Sequence, residues 1–181
     1  SEVPGSMQRL SAKMLRQMSY ANPMQSLHAL AGLNLVEEDG FGLRPNIGMR
    51  GSGTDRSARV TLMEDGVLMA PAPYTAPAAY YFPSIARMQS IEVLKGSSQI
   101  AFGPQTAGGA INLVTAPIDE NQPALVYRAE RSGFGGHLQH LRWTEQWDGQ
   151  AGVWGIQVEG LQFGSNGFKQ LSSGLPTGFA K

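Results

Sequence analysis

Short apolar runs separated by turn residues dominate the middle of this chain, from Asn46 to Thr115. Val60, Leu62 and Glu64 alternate with Thr61 and Met63, and a second apolar run follows the pair Asp65-Gly66. An Asp-Gly pair between two such runs predicts a β-hairpin, because its tight turn needs positive φ angles. Ile91 to Leu94 and Ala110 to Thr115 have the length and residue types of further strands.

Two short helices are predicted ahead of these strands. Ser11 can cap a helix that runs to Gln17. Asn22 and Pro23 are typical of a second helix start, and Gly32 is typical of the position after a helix end. With many turn residues, 23 Gly and 11 Pro, and few helices, the chain fits a β-rich protein.

The segment from Ala70 to Pro83 is apolar, but its prolines exclude both a helix and a central strand. It is therefore predicted to be a long extended loop, and such loops are uncommon unless they are functional. Its phenol groups, which can donate and accept hydrogen bonds, belong to Tyr74, Tyr80 and Tyr81. This loop is the best binding candidate in the sequence, and packing of the three rings against neighbouring protein is an alternative of similar weight.

Three longer strands are predicted after Thr115: Pro123 to Arg131, Leu138 to Trp147, and Val153 to Phe163. Each approaches the ~9–11 residues with which a tilted strand crosses a bilayer. Apolar and polar residues alternate in the last two, so each has one apolar and one polar face, with tryptophans towards an end. A membrane β-barrel has this pattern, and a soluble antiparallel sheet has it too.

Composition and charge exclude several classes of function. The 181 residues include 14 Lys+Arg and 14 Asp+Glu, so the chain has no basic footprint for nucleic acid. The lack of cysteine excludes thiolate zinc sites and disulfides. The chain contains no run of ~20 apolar residues, so no transmembrane helix is predicted. The first residues lack the features of a signal peptide.

Residues for catalysis or metal binding are sparse. The histidines are His28, His137 and His140. His137 and His140 would point to opposite faces of one strand, so a structural or lumen-facing role is predicted for them rather than a metal site. No nucleophile elbow, phosphate-binding loop or dinucleotide fingerprint occurs, and an enzyme is not expected.

Five motifs follow one another between Ile47 and Thr115: IxMRG, LMEDGV, APAPYxxPxAYYFP, RMxxIEVLKG and GPxTxGGAINLVT. In this order and spacing they resemble the plug domain of TonB-dependent outer-membrane receptors, nearest the ferric dicitrate receptor type. The resemblance implies an α+β plug over residues 1–118, with a small mixed sheet and short helices. Residues 119–181 would be about three antiparallel strands of an incomplete 22-stranded β-barrel.

The resemblance also implies a function. The plug would gate energy-coupled uptake of a ferric chelate, a siderophore or a ferric dicitrate-like ligand, in the outer membrane of a Gram-negative bacterium. TonB, a periplasmic energy-coupling protein, would pull on the N-terminal region, although no TonB box is visible in this chain. The other implied partners are outer-membrane lipid and the remainder of the chain's own barrel, with no nucleic acid and no covalently bound cofactor.

Two alternatives to this function stay open at the level of the sequence. One is a receptor of the same fold for another substrate, such as zinc, cobalamin or a sugar. The other is a soluble β-rich binding module, in which the last three strands would belong to a sandwich.

Residue roles follow from the same resemblance. A lock between plug and barrel is implied for Arg50, Glu92 and Lys95. Lys95 stands where relatives commonly carry arginine, and it cannot form the same bidentate pair with a carboxylate. The ligand is expected to meet the three tyrosines named above. Arg56 and Arg59 are further candidates for ligand contact, although a solvated loop is the simpler interpretation of both. Alanines stand where ferric citrate receptors carry glutamines in the tyrosine loop, which argues against citrate itself.

Overall fold

The computed structural model describes residues 5–18, 23–38, 42–69, 82–96, 102, 108–119, 124–169 and 178–180. The chain forms two compact units, Ser1–Ala116 and Pro117–Lys181. Each unit has its own secondary structure and is described by itself. In the described part of the chain, no helix is long and apolar enough to span a membrane.

The first unit combines short strands with short helices. In chain order its elements are β1 (Ser6–Leu10), α1 (Ala12–Met18), α2 (Pro23–Leu27), β2 (Leu33–Glu37), β3 (Pro45–Met49), a 3-10 turn (Asp55–Ser57), β4 (Val60–Glu64), β5 (Val67–Leu68), a second 3-10 turn (Ile85–Arg87), β6 (Met88–Lys95) and β7 (Gly109–Thr115).

A five-stranded mixed sheet organises this unit. Its strand order is β1-β6-β7-β4-β5, with β4 and β7 parallel and the other pairs antiparallel. Strands β2 and β3 form a separate antiparallel pair. Asp65 and Gly66 have φ angles of 51° and 79° between β4 and β5, as the predicted hairpin requires. The predicted α+β class, with a small mixed sheet and short helices, is confirmed.

Helix α1 begins where the sequence predicts. The Ser11 hydroxyl accepts a hydrogen bond from the Met14 amide at 3.4 Å, and Leu15 is buried. Helix α2 is shorter than predicted, because after Leu27 the backbone tightens into i→i+3 hydrogen bonds and turns. Asn22, its predicted cap, lies outside the described residues.

One face of the mixed sheet builds the hydrophobic core. Ile91, Val93, Ile111 and Leu113 alternate along β6 and β7 and are fully buried. The helices and the β2–β3 pair contribute further core residues, which include Leu15, Leu27, Ile47 and Met49. The regular alternation fixes the register, since a one-residue slip would turn this apolar set to the other face.

The second unit is an antiparallel sheet of four strands. They are β8 (Leu125–Ser132), β9 (Gly136–Gly149), β10 (Gly152–Ser165) and β11 (Phe179–Ala180), in the order β11-β10-β9-β8. Strands β9 and β10 have 14 residues each, more than predicted. The two-residue strand β11 was not predicted; it is visible only through its pairing with the end of β10.

The exposed face of this second sheet is its apolar face. Leu125 lies opposite Trp143, Trp143 lies opposite Val158, and Tyr127 lies opposite Leu141. All five side chains are exposed. The other face combines polar residues such as His140 and Thr144 with the apolar Leu138, and these three side chains are buried. A sheet with one solvated face normally has the reverse arrangement, polar towards water and apolar towards the core.

Candidate functional site

The loop between β3 and β4 carries three arginines that the sequence singles out, Arg50, Arg56 and Arg59. Arg50 and Arg56 have φ angles of 54° and 47°, and Ser57 has 56°. The left-handed region costs a non-glycine residue roughly 1–2 kcal/mol. The surrounding contacts must therefore hold the loop in this conformation.

Ser57 holds this loop from inside. Its buried hydroxyl accepts a hydrogen bond from the Ile47 amide at 2.9 Å and donates one to the Pro45 carbonyl at 3.0 Å. At the end of β3, the Ser52 hydroxyl accepts a hydrogen bond from the Met49 amide at 3.2 Å. Two serine side chains thus fasten the loop to β3, a role that no sequence motif predicted.

All three arginines of this loop are exposed. The Gly108 amide donates a hydrogen bond to the Arg59 carbonyl at 2.8 Å, which fixes the approach to β4 beside β7. A fixed loop with several guanidinium groups is suited to an anionic partner, because each group offers a planar set of N–H donors to carboxylate-like oxygens.

Lys95, by contrast, is buried, with 7% of its surface exposed. Its ammonium group donates hydrogen bonds to Gln8 Oε1 at 2.8 Å and to the carbonyl of Ala31. Burial, and secondly the positive charge of Arg50, lower the pKa of Lys95. This side chain ties β6 to β1 and to the turn after α2.

Glu92 lies on the opposite face of β6 from Lys95, because the two are three residues apart on one strand. Its carboxylate is 3.7 Å from the Arg9 guanidinium and accepts a hydrogen bond from Asn112 at 3.3 Å. The structure therefore brings Arg50 within electrostatic range of Lys95, whereas Glu92 lies on the other face of β6 from Lys95. The lock implied for these three residues stays a prediction.

Tyr74, Tyr80 and Tyr81 lie outside the described residues. The residues that flank their segment are Met69 and Phe82, which are 7% and 4% exposed and belong to the hydrophobic core. The residues on both sides of the segment are thus anchored in the core of the first unit.

A polar cluster lies on the covered face of the second sheet. His140 Nε2 is 2.7 Å from Glu159 Oε1, and His140 is 3% exposed. His137 pairs with Arg131 and His140 with Arg128, so the two histidines do occupy opposite faces. Within the described ranges, no three His, Cys, Asp or Glu side chains are grouped so as to hold a metal ion.

Comparison with known proteins identifies the first unit. Residues 1–110 match the family model of the TonB-dependent receptor plug domain. The chain belongs to this family. The TonB-dependent receptor family inferred from the five motifs is thereby confirmed, and a plug is a receptor domain rather than an enzyme domain.

Similar solved structures extend the likeness beyond the plug. The ferric yersiniabactin uptake receptor FyuA from Yersinia pestis has 24% identity and a TM-score of 0.69, over 97% of this chain and 27% of that one. The siderophore receptor PirA from Acinetobacter baumannii has 18% identity and a TM-score of 0.64, over 89% and 25%. The ferric citrate transporter FecA has 19% identity and a TM-score of 0.62, over 89% and 28%.

At these identities the likeness establishes the fold. The matched share of this chain is larger than the plug unit alone, so a mixed-sheet plug followed by antiparallel strands is confirmed. The chain spans about a quarter of the length of these proteins.

Proposed function

We propose that this chain is the plug and first barrel strands of an outer-membrane receptor that takes up a ferric chelate by TonB-dependent gating. The observation that carries the proposal is the succession of a plug-family unit and a sheet whose apolar face is exposed. By name, the similar structures are receptors or transporters of ferric yersiniabactin, a siderophore and ferric citrate.

The exposed apolar face supports a position in lipid. Leu125, Trp154 and Val158 are each more than half exposed. Large contiguous apolar patches rarely face water in a monomeric soluble protein, whereas a membrane barrel turns its apolar face to lipid. This argues against a soluble binding module. Since lipid cannot satisfy an open strand edge, we expect further strands to close the sheet into a barrel in a Gram-negative outer membrane.

Chelate binding is proposed for the arginine loop and the tyrosine segment of the plug. An anionic ferric chelate presents carboxylate or phenolate oxygens. The guanidinium groups of Arg56 and Arg59 can donate charge-assisted hydrogen bonds to these oxygens, and the phenols of Tyr74, Tyr80 and Tyr81 can add neutral ones. The serine contacts that fix the arginine loop would reduce the entropy lost on binding.

Retention of the plug is proposed to depend on Arg50 and Lys95. The described hydrogen-bond acceptors of Lys95 are neutral, and Arg50 adds a second positive charge beside it. A carboxylate from the remainder of the barrel would offset both charges and complete the lock. A pull on β1 by TonB would separate Gln8 from Lys95 and loosen the same site.

Uptake by the full-length receptor that contains this chain tests the proposal. The receptor is expressed in an iron-starved Gram-negative host and offered radiolabelled ferric dicitrate, a ferric catecholate, a ferric hydroxamate and cobalamin. We expect uptake of at least one ferric chelate, and no uptake of it in a strain without TonB. Uptake of cobalamin alone would support the alternative substrate class, and uptake that persists without TonB would contradict the gating mechanism.

Single substitutions then test the binding residues. Hydrogen bonds to charged groups contribute about 1.5–3 kcal/mol, so Arg56→Gln or Arg59→Gln should weaken binding of the transported chelate by about tenfold or more. Lys13→Gln is the matched control, since it removes an exposed positive charge from α1. Equal affinities for all three variants and the wild type would exclude ligand contact by the arginine loop.

A further inference from the structure

The apolar face of β8–β10 changes character along its strands. Between the rows of Trp147 and Leu141 its side chains are mainly large and apolar. At the other end Arg131 and His137 are cross-strand partners on the same face. Glu145 is the acidic residue of this face within the described strands β8–β10, and it lies near the tryptophan end. The face therefore has one basic end.

The distance between the two ends fits the thickness of a membrane. Trp147 and His137 are about ten residues apart on β9, which corresponds to about 33 Å along the strand. At the tilt of about 35–45° that transmembrane strands adopt, this spans about 25 Å of height, the height of the apolar band of a membrane barrel. With Trp147 and its partner Trp154 at one boundary of the hydrocarbon, Arg131 and His137 lie at the other.

The basic end also carries an ordered aromatic tip. Phe134, in the β8–β9 turn, has a φ angle of 56°, and its carbonyl accepts hydrogen bonds from the Asn166 amide at 2.9 Å and the Ser165 hydroxyl at 3.3 Å. Its ring centroid is 6.3 Å from that of Phe168, and the Lys169 ammonium lies 5.5 Å from the Phe168 centroid. Both rings are at least half exposed. The two turns thus present aromatic rings and a cation together.

From this arrangement we infer that the basic end binds the phosphate group of an anionic membrane lipid whose acyl chains lie along the apolar face. The Arg131 guanidinium can donate paired hydrogen bonds to phosphate oxygens. The exposed rings of Phe134 and Phe168 are suited to the aromatic girdle at the edge of a barrel's apolar band, and the apolar rows are suited to acyl chains. Inorganic phosphate would interact with the positive charges but would make no contact with the apolar face. The inference rests on the proposed function, because it requires the sheet to lie in a membrane.

The test measures lipid selectivity of the full-length receptor that contains this chain. The purified receptor is exposed in detergent to phosphatidylglycerol and phosphatidylcholine with identical acyl chains, and native mass spectrometry counts the lipids it retains. We expect the wild type to prefer phosphatidylglycerol. Each lysine or arginine near a membrane surface adds about fivefold to the affinity for anionic lipid, so Arg131→Gln should lower the preference about fivefold, and Arg131→Gln combined with Lys169→Gln should lower it further.

Controls separate this inference from the proposed function. Arg131→Lys should keep most of the preference, and Lys13→Gln should keep all of it. Heat-modifiable mobility on a gel reports whether each variant forms a barrel. If the double variant forms none, the two single variants decide. A wild-type receptor that forms a barrel but retains both lipids equally would overturn the inference and leave the proposed function standing.

Two further outcomes are informative. If millimolar inorganic phosphate displaces phosphatidylglycerol completely, the site takes free phosphate and the lipid assignment is wrong. If the wild-type receptor forms no barrel in any membrane, the proposed function fails first.

Discussion

Ser57→Ala is expected to destabilise the plug unit far more than an ordinary loop substitution. The hydroxyl of Ser57 is buried and satisfies two backbone groups of β3, the Ile47 amide and the Pro45 carbonyl. Alanine would leave both groups without a partner in a site that is closed to water. An unsatisfied buried polar group costs about 1–3 kcal/mol. We therefore expect a loss of about 2–4 kcal/mol in the free energy of unfolding.

Ser57→Gly distinguishes the contribution of the hydroxyl group to stability from that of the backbone conformation. Ser57 has a φ angle of 56°, so alanine keeps the left-handed strain and glycine relieves it. Ser57→Gly should therefore be more stable than Ser57→Ala by about 0.5–1 kcal/mol, the reverse of the usual order for the two residues. Urea denaturation of a fragment spanning residues 1–118 measures both values.

Ser52→Ala is the matched control for Ser57→Ala. Its hydroxyl also accepts a hydrogen bond from a β3 amide, that of Met49, but Ser52 is half-buried and water can replace it. We expect a loss of at most about 1 kcal/mol, and hydrogen exchange of the Ile47 amide should accelerate only in the Ser57 variants. Equal stabilities of the Ser52 and Ser57 alanine variants would refute the role assigned to burial.

Three further predictions concern other parts of the chain. Because burial lowers the pKa of Lys95, the native state binds fewer protons at this group than the unfolded state. The free energy of unfolding of the wild type, measured in urea relative to Lys95→Met, should therefore rise with pH between the lowered pKa and 10.5. A difference between the two proteins that does not change with pH would contradict this. Gly48→Ala should destabilise the fragment of residues 1–118 by more than about 2 kcal/mol, because the new methyl group would collide with the Gly53 carbonyl. A melting temperature within about 2 °C of the wild-type value would contradict this. Leu141→Arg should destabilise the membrane-inserted receptor by about 2–4 kcal/mol, whereas Gln139→Arg, nearer the basic end, should cost about 0–1 kcal/mol. Urea unfolding in lipid measures both values. Equal losses would contradict a position of Leu141 nearer the bilayer midplane than Gln139.

Local chemistry made much of the fold predictable. The positive φ angles at Asp65 and Gly66, the capping hydroxyl of Ser11 and the alternation along β6 each depend on a few neighbouring residues. The sequence therefore contains the whole cause of each feature. The alternation in β9 and β10 likewise predicted that each strand has two distinct faces. It did not predict which face would be covered, because this depends on residues outside the strands.

Long-range pairing could not be predicted in this way. The parallel alignment of β4 with β7 and the placement of β1 beside β6 join segments that share no local signal. The two-residue strand β11 is too short for any periodicity. Among the site residues, the exposure of Arg56 and Arg59 followed from their polar loop, whereas the burial of Lys95 depends on Gln8, 87 residues away.

The position of β1 in the sheet has a consequence for biogenesis. Its only described strand neighbour is β6, so it has no strand to pair with until Met88–Lys95 has been synthesised. Contacts of such high sequence separation form slowly, and an unpaired strand is exposed to aggregation until they form. Strand β1 is thus expected to be among the last segments to become protected during folding, and among the first that chaperones and proteases bind when folding stalls.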